Sequence, residues 1–136
     1  MKIVINRCYG GFGLSPKALQ WLYANGAQNL TTSVEEYFAG NIDEFERSLK
    51  VWRDFQKTGS YNWIYHIFTP DERFVLSYND LLRNDPLLIK CVETLGKEAD
   101  ARFASLAIIE IPDGISWSID DYDGMETVEE EHRSWP

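Results

Sequence analysis

The chain reads as an α+β protein: one compact domain in which helices and a mixed or antiparallel sheet are segregated along the sequence, closed by a C-terminal β-hairpin. Three observations carry that reading. Apolar residues recur at helical spacing behind recognisable caps in the first two thirds. The last third alternates at strand spacing around Asp123-Gly124, the strongest short hairpin signal present. The length of 136 residues, with 44% hydrophobic and 14% aromatic content, suits a single packed core and is too short for two ordinary domains.

The elements follow in order. Lys2 to Asn6 is a short apolar strand, and Gly10, Gly11 and Gly13 make the following loop glycine-rich. Ser15-Pro16 reads as N-cap and first position of a helix that buries Leu19, Leu22 and Tyr23 and stops near Asn25-Gly26. Ser33 with Glu36 and Asn41 with Glu44 are two capping boxes, so two more helices begin there, the second with Phe45, Leu49 and Trp52 on one stripe. Tyr61 to Phe68 and Arg73 to Tyr78, rich in aromatic and β-branched residues, flank Thr69-Pro70-Asp71-Glu72 as a hairpin with a longer loop. Asp85-Pro86 opens a helix with Leu88, Ile89, Val92 and Leu95 inward, ended by Gly96.

Leu106 to Ile111 is almost continuously apolar and predicts a strand buried on both faces. Beyond Pro112-Asp113-Gly114, a two-residue type I′ turn at Asp123-Gly124 sets Tyr122 opposite Met125, Ile119 opposite Val128 and Trp117 opposite Glu130, with Asp121 facing Glu126 at the tip. The hairpin carboxylates do not follow a calcium-loop spacing, and alternation points them to different faces. A solvated, charged edge is the expectation and no metal site is assigned.

The net charge of −9 argues against duplex nucleic acid as a partner but leaves a small nucleotide open. No apolar run reaches membrane length and no cleavable leader pattern is present, so a cytoplasmic protein without a membrane partner is expected. Cys8 and Cys91 are far apart and lie in no metal-ligand spacing; Cys91 reads as core, and Cys8 as a small residue closing a strand.

The candidate site is the segment from Asn6 to Ser15. Glycines allow backbone N–H groups to approach a ligand, and a helix N-terminus favours an anion. Arg7 is suited to hold a phosphate, with Asn6 beside it at the strand end. Gly10, Gly11 and Gly13 present donors, Ser15 caps helix and ligand, and Tyr9 or Phe12 stacks on a base. The spacing fits neither the P-loop nor the dinucleotide fingerprint, and a tight strand-to-helix turn accounts for the same glycines. No catalytic residue and no cofactor is assigned. A thiol nucleophile at Cys8 needs a histidine base, and His66 and His132 are the only histidines.

Lys2 to Ser15, the segment Arg83 to Gly96, and the tail Ile109 to Gly124 with His132-Arg133-Ser134-Trp135 resemble small, largely uncharacterised proteins encoded by bacteriophages and prophages. About 28–79 has no counterpart and reads as a variable, insertion-like middle segment. The resemblance implies a phage setting and a bacterial host cytoplasm, and no settled chemistry. By analogy with small phage proteins that capture nucleotide immune signals, the expected function is non-enzymatic binding of a nucleotide-like anion. Two alternatives stand beside it: an acidic module that blocks a host protein through Trp63, Tyr65 or the acidic hairpin, and a Cys-dependent hydrolase or transferase. A homo-oligomer is compatible with each.

Overall fold

The computed structural model describes residues 1–59, 66–78 and 81–130. Among them are four α-helices and seven short strands with every pairing antiparallel, an α+β fold. The chain divides into two compact units, Met1–Leu22 with Leu81–Pro136, and Tyr23–Asp80.

The first unit is organised by β1 (Lys2–Asn6), whose Ile3, Val4, Ile5 and Asn6 are all buried. β1 pairs along its full length with β5 (Leu106–Glu110), Lys2 opposite Glu110 and Asn6 opposite Leu106. On its other edge the Val4 N–H donates to the Arg83 carbonyl at 2.8 Å. Helix α1 (Pro16–Ala24) buries Pro16, Ala18, Leu19 and Leu22. Tyr23, expected inward, is 38% exposed, because the apolar stripe of this short helix is completed by Ala18 and Leu22.

Helix α4 (Pro86–Leu95) starts as its sequence predicts. The Asp85 carboxylate accepts from the Leu87 and Leu88 N–H groups, Pro86 takes the first turn, and Gly96 ends the helix with φ 59°. It packs on β1 and β5 and meets α1 where Cys91 Sγ lies 3.7 Å from the Ala18 carbonyl. Cys91 is fully buried, and that burial pushes its thiol up to about 11, which suits a packing residue. A 3₁₀ turn, Gly96–Ala99, returns the chain to the start of α1.

The hairpin of β6 (Trp117–Tyr122) and β7 (Met125–Glu130) has the expected register, with Ile119 opposite Val128 and Trp117 opposite Glu130. Asp123 and Gly124 both have positive φ, 50° and 91°, as a type I′ turn requires. Leu106 to Ile109 is only half-buried: among the described residues β5 pairs with β1 alone, and its other edge is left uncovered. Glu126 is not on a solvated rim: it is 4% exposed, because its alternation places it on the same face as Val128 and β7 lies beside β1.

The second unit is built on a three-stranded sheet in the order β2 (Thr31–Ser33), β4 (Phe74–Leu76), β3 (Ile67–Phe68). The β3–β4 hairpin was expected; of its first arm, Tyr61 to Phe68, 61–65 lies outside the described residues. Thr69 is fully buried and organises the turn: its hydroxyl donates to Asp71 Oδ1 at 2.6 Å and accepts from the Phe74 N–H at 3.3 Å. β2 was not anticipated. Its three polar residues carry no strand alternation, and only pairing with β4 makes them a strand.

Helix α2 (Val34–Phe38) begins where Ser33 Oγ accepts from the Glu36 N–H, and α3 (Ile42–Thr58) where Asn41 Oδ1 accepts from the Glu44 N–H. Their apolar faces meet the sheet through stacked and edge-on rings of Phe38, Phe45, Trp52 and Phe68, centroids 5.4–6.4 Å apart. Arg53 of α3 holds the turn by a bidentate pair with Glu72, 2.6 and 3.1 Å.

Candidate functional site

The loop from Asn6 to Ser15 is framed by residues of the first unit. Asn6 has no solvent exposure and every polar atom of its side chain is used. Its Nδ2 donates to the carbonyls of Cys8 and Gly124, both at 2.6 Å, and its Oδ1 accepts from the Ser105 N–H at 2.8 Å. One amide thus ties the loop to the 105 segment and to the hairpin turn. Buried and satisfied in this way, it fixes geometry more than it offers contacts.

Beside it lies an ion pair. Arg83 reaches Glu126 with both terminal nitrogens, 2.6 and 2.8 Å, while Glu126 Oε1 also accepts from the Asn6 N–H at 2.8 Å. Arg83 donates a further bond to the Val4 carbonyl at 3.3 Å, and its guanidinium lies 3.6 Å from the centroid of the Phe12 ring. One face of Phe12 is therefore already covered.

The glycines serve close approach. A Cβ at Gly10 would run into the backbone and Cβ of Phe103. A Cβ at Gly124 would stand 2.5 Å from Gly11 N and 2.6 Å from the Tyr9 carbonyl. Gly11 has open space around it but needs its φ of 93°. Gly13 is buried and its carbonyl accepts from Ala101 at 3.2 Å.

Ser15 is the N-cap of α1, its Oγ accepting from Ala18 at 3.1 Å. That hydroxyl also donates to the Glu98 carbonyl at 2.6 Å, and the Ser15 N–H donates to the Ala99 carbonyl at 2.9 Å. Lys17 pairs with Glu98 at 2.8 Å. The segment Glu98–Ala101 thus lies across the start of α1, and the helix end that would favour an anion faces the protein's own chain.

What projects outward is the rim. Arg7 gives its N–H to the Ser105 carbonyl at 2.7 Å, while its side chain is exposed and, among the described residues, makes no ion pair. Tyr9 is 63% exposed, Phe103 behind Gly10 is 55% exposed, and Tyr122 beside the hairpin turn is 71% exposed. The Arg102 guanidinium sits 5.4 Å from the Phe103 ring centre. Of the sequence candidates, then, Arg7, Tyr9, Gly10 and Gly11 lie toward the surface. Asn6, Gly13 and Ser15 lie within the frame, and Phe12 lies under Arg83.

Residues missed by sequence reasoning are Arg83, Glu126, Phe103 and Tyr122. Glu126 was recoverable, because the hairpin register puts it in phase with Ile119 and Val128; its cation, 43 residues away, carried no local signal. Cys8 is half-exposed. His66 belongs to the second unit, where Tyr37 and Phe38 meet it edge-on and Glu44 stands 3.6 Å away. His132, Trp63 and Tyr65 lie outside the described residues. In the acidic hairpin, Asp121 Oδ1 accepts from the Gly124 N–H at 2.7 Å and Glu126 is committed to Arg83. Among the described residues no helix is long and apolar enough to cross a membrane. No family model matches this chain, and no curated protein or solved structure matches it.

Proposed function

We propose that the protein is a non-enzymatic binding module whose glycine-rich loop takes a nucleotide-like anion on its outer rim. The observation that carries this reading is the exposed Arg7, which makes no ion pair among the described residues, next to the exposed Tyr9 on a loop held in place by Asn6. A guanidinium supplies paired donors for a phosphate, and a phenol ring supplies a stacking surface for a base. Because the frame is fixed before a ligand arrives, little ordering is lost on binding. The ligand contacts are Arg7, Tyr9 and the backbone at Gly10 and Gly11, while Gly13 and Ser15 hold the loop from below. In the phage setting that the sequence resembles, such a module would sequester a nucleotide immune signal in the host cytoplasm.

A calorimetric screen of mono-, di- and cyclic nucleotides tests it. Sub-millimolar binding of at least one is expected, reduced tenfold or more by Arg7→Ala. Absence of binding across the panel, or undiminished binding by Arg7→Ala, overturns the assignment.

A second reading, a host protein as partner, is favoured by the exposure of Tyr9 and Phe103 on two loops and of Tyr122 at the end of β6, on segments that meet at Gly10, Gly11 and Gly124. Aromatic anchors of this kind are typical of protein interfaces. Loss of capture of a single host protein on Phe103→Ser and Tyr122→Ser, without loss of any nucleotide binding, would select it.

A further inference from the structure

We propose that the outer edge of β5 is a self-association surface, on which a second copy of this chain pairs antiparallel with Ile109 on the two-fold axis. The hydrogen-bonding direction along β5 follows from its ends. Ile111 donates to the Met1 carbonyl at 2.9 Å, and the Ser105 carbonyl accepts from Arg7 at 2.7 Å. Alternation therefore turns the backbone groups of Ala107 and Ile109 toward β1, and those of Leu106, Ile108 and Glu110 away from it.

The outward donors are not equivalent. The Leu106 N–H is used by Asp100 Oδ1 at 3.0 Å, and Pro112, next in the same phase, has no N–H. Among the described residues the N–H groups of Ile108 and Glu110 have no partner. The two open positions are symmetric about Ile109, and so are the two closed positions that bracket them. A second copy in this register forms four N–H···O bonds, Ile108 exchanging two with Glu110 of the second copy and Glu110 exchanging two with its Ile108.

Side-chain chemistry agrees with the same register. Glu110 is the strand's only charged residue and stands opposite isoleucine, so no like charges face each other. Leu106, Ala107, Ile108 and Ile109 form an apolar run of the kind a strand covered on both faces carries, yet all four are half-exposed, so a second copy at this edge also removes apolar surface from water. The edge has neither lysine, proline nor a bulge within it to block pairing. By contrast, the free edge of β1 is closed by Arg83 and Glu126.

Sedimentation of the full chain at tens of micromolar is expected to give twice the chain's mass. Ile108→Pro should sediment as a monomer with unchanged far-ultraviolet circular dichroism, since the N–H it removes faces away from β1. A monomeric wild type, or a folded Ile108→Pro that remains dimeric, overturns the proposal. Hydrogen exchange on the wild type keeps the test independent of that variant's folding. Protection of the Ile108 and Glu110 amides should grow with protein concentration. Fast exchange at all concentrations, or protection that does not depend on concentration, contradicts a second copy at this edge.

Discussion

The two units fill their interiors differently, one with a polar network that links distant segments and one with packed rings. In the first, polar groups enter the interior with partners already assigned: Asn6 makes three side-chain hydrogen bonds, and Glu126 takes two from Arg83 and one from the Asn6 backbone. In the second, the interior is mainly aromatic rings; the buried Thr69 is satisfied within its own turn, but among the described residues Trp52 Nε1 and His66 Nδ1 have no hydrogen-bond partner. Directional bonds hold loops in one arrangement, whereas ring packing fills volume and tolerates adjustment. In the first unit these bonds hold the loops that carry the exposed Arg7, Tyr9 and Phe103.

Breaking the ion pair should have the largest effect. Glu126→Ala leaves the Arg83 guanidinium and the Asn6 N–H without their acceptor, and a cost of about 3–5 kcal/mol is expected in urea unfolding. Replacing both members, Arg83→Met with Glu126→Leu, should recover much of that loss. Equal destabilisation by the single and double variants would show that the pair does not act as a unit.

Next comes the close approach at the hairpin turn. Gly124→Ala adds a Cβ against Gly11 and Tyr9 backbone at a left-handed position and should cost about 2–4 kcal/mol. Gly114→Ala, also left-handed but with open space around it, should cost only about 1–2 kcal/mol. Thermal melts of the two variants side by side read the difference, and equal shifts would deny the contact its role.

In the second unit, removing polarity should be nearly neutral. Trp52→Phe loses ring volume but also an unpartnered buried N–H, so a net change within about 1 kcal/mol is expected. A loss as large as that of Glu126→Ala would erase the contrast between the units.

The smallest effect is that of pH on His66. Burial lowers its pKa below the ordinary 6.5, and the Glu44 carboxylate partly offsets this. The unfolded chain therefore binds the proton more readily than the folded one. The resulting stability is present above about pH 6.5 and is lost as pH falls from there through the folded value. The urea midpoint of wild type should fall between pH 7.5 and pH 5.5 more than that of His66→Gln.

How much of this was legible in the sequence depends on range. Ser33, Asn41 and Asp85-Pro86 cap helices through bonds to residues two or three positions on, so their roles are written locally. Asp123-Gly124 specified a turn and, through it, the register of six residue pairs. The loop's anchors were illegible because they are distant: Asn6 finds Ser105 and Gly124, and Arg83 finds Glu126, only once the chain has folded. Apolar content alone misplaced Leu106–Ile109, since an apolar run says that a strand's two faces suit burial but not whether one chain covers them.

The most direct measurement is an amide NMR titration of the isotopically labelled chain with the nucleotide panel. Shifts are expected at Arg7 and at Tyr9 to Phe12, with the amides of α3 and of β2–β4 unmoved. No shifts at millimolar nucleotide, or shifts confined to Tyr23–Asp80, would contradict the proposed site.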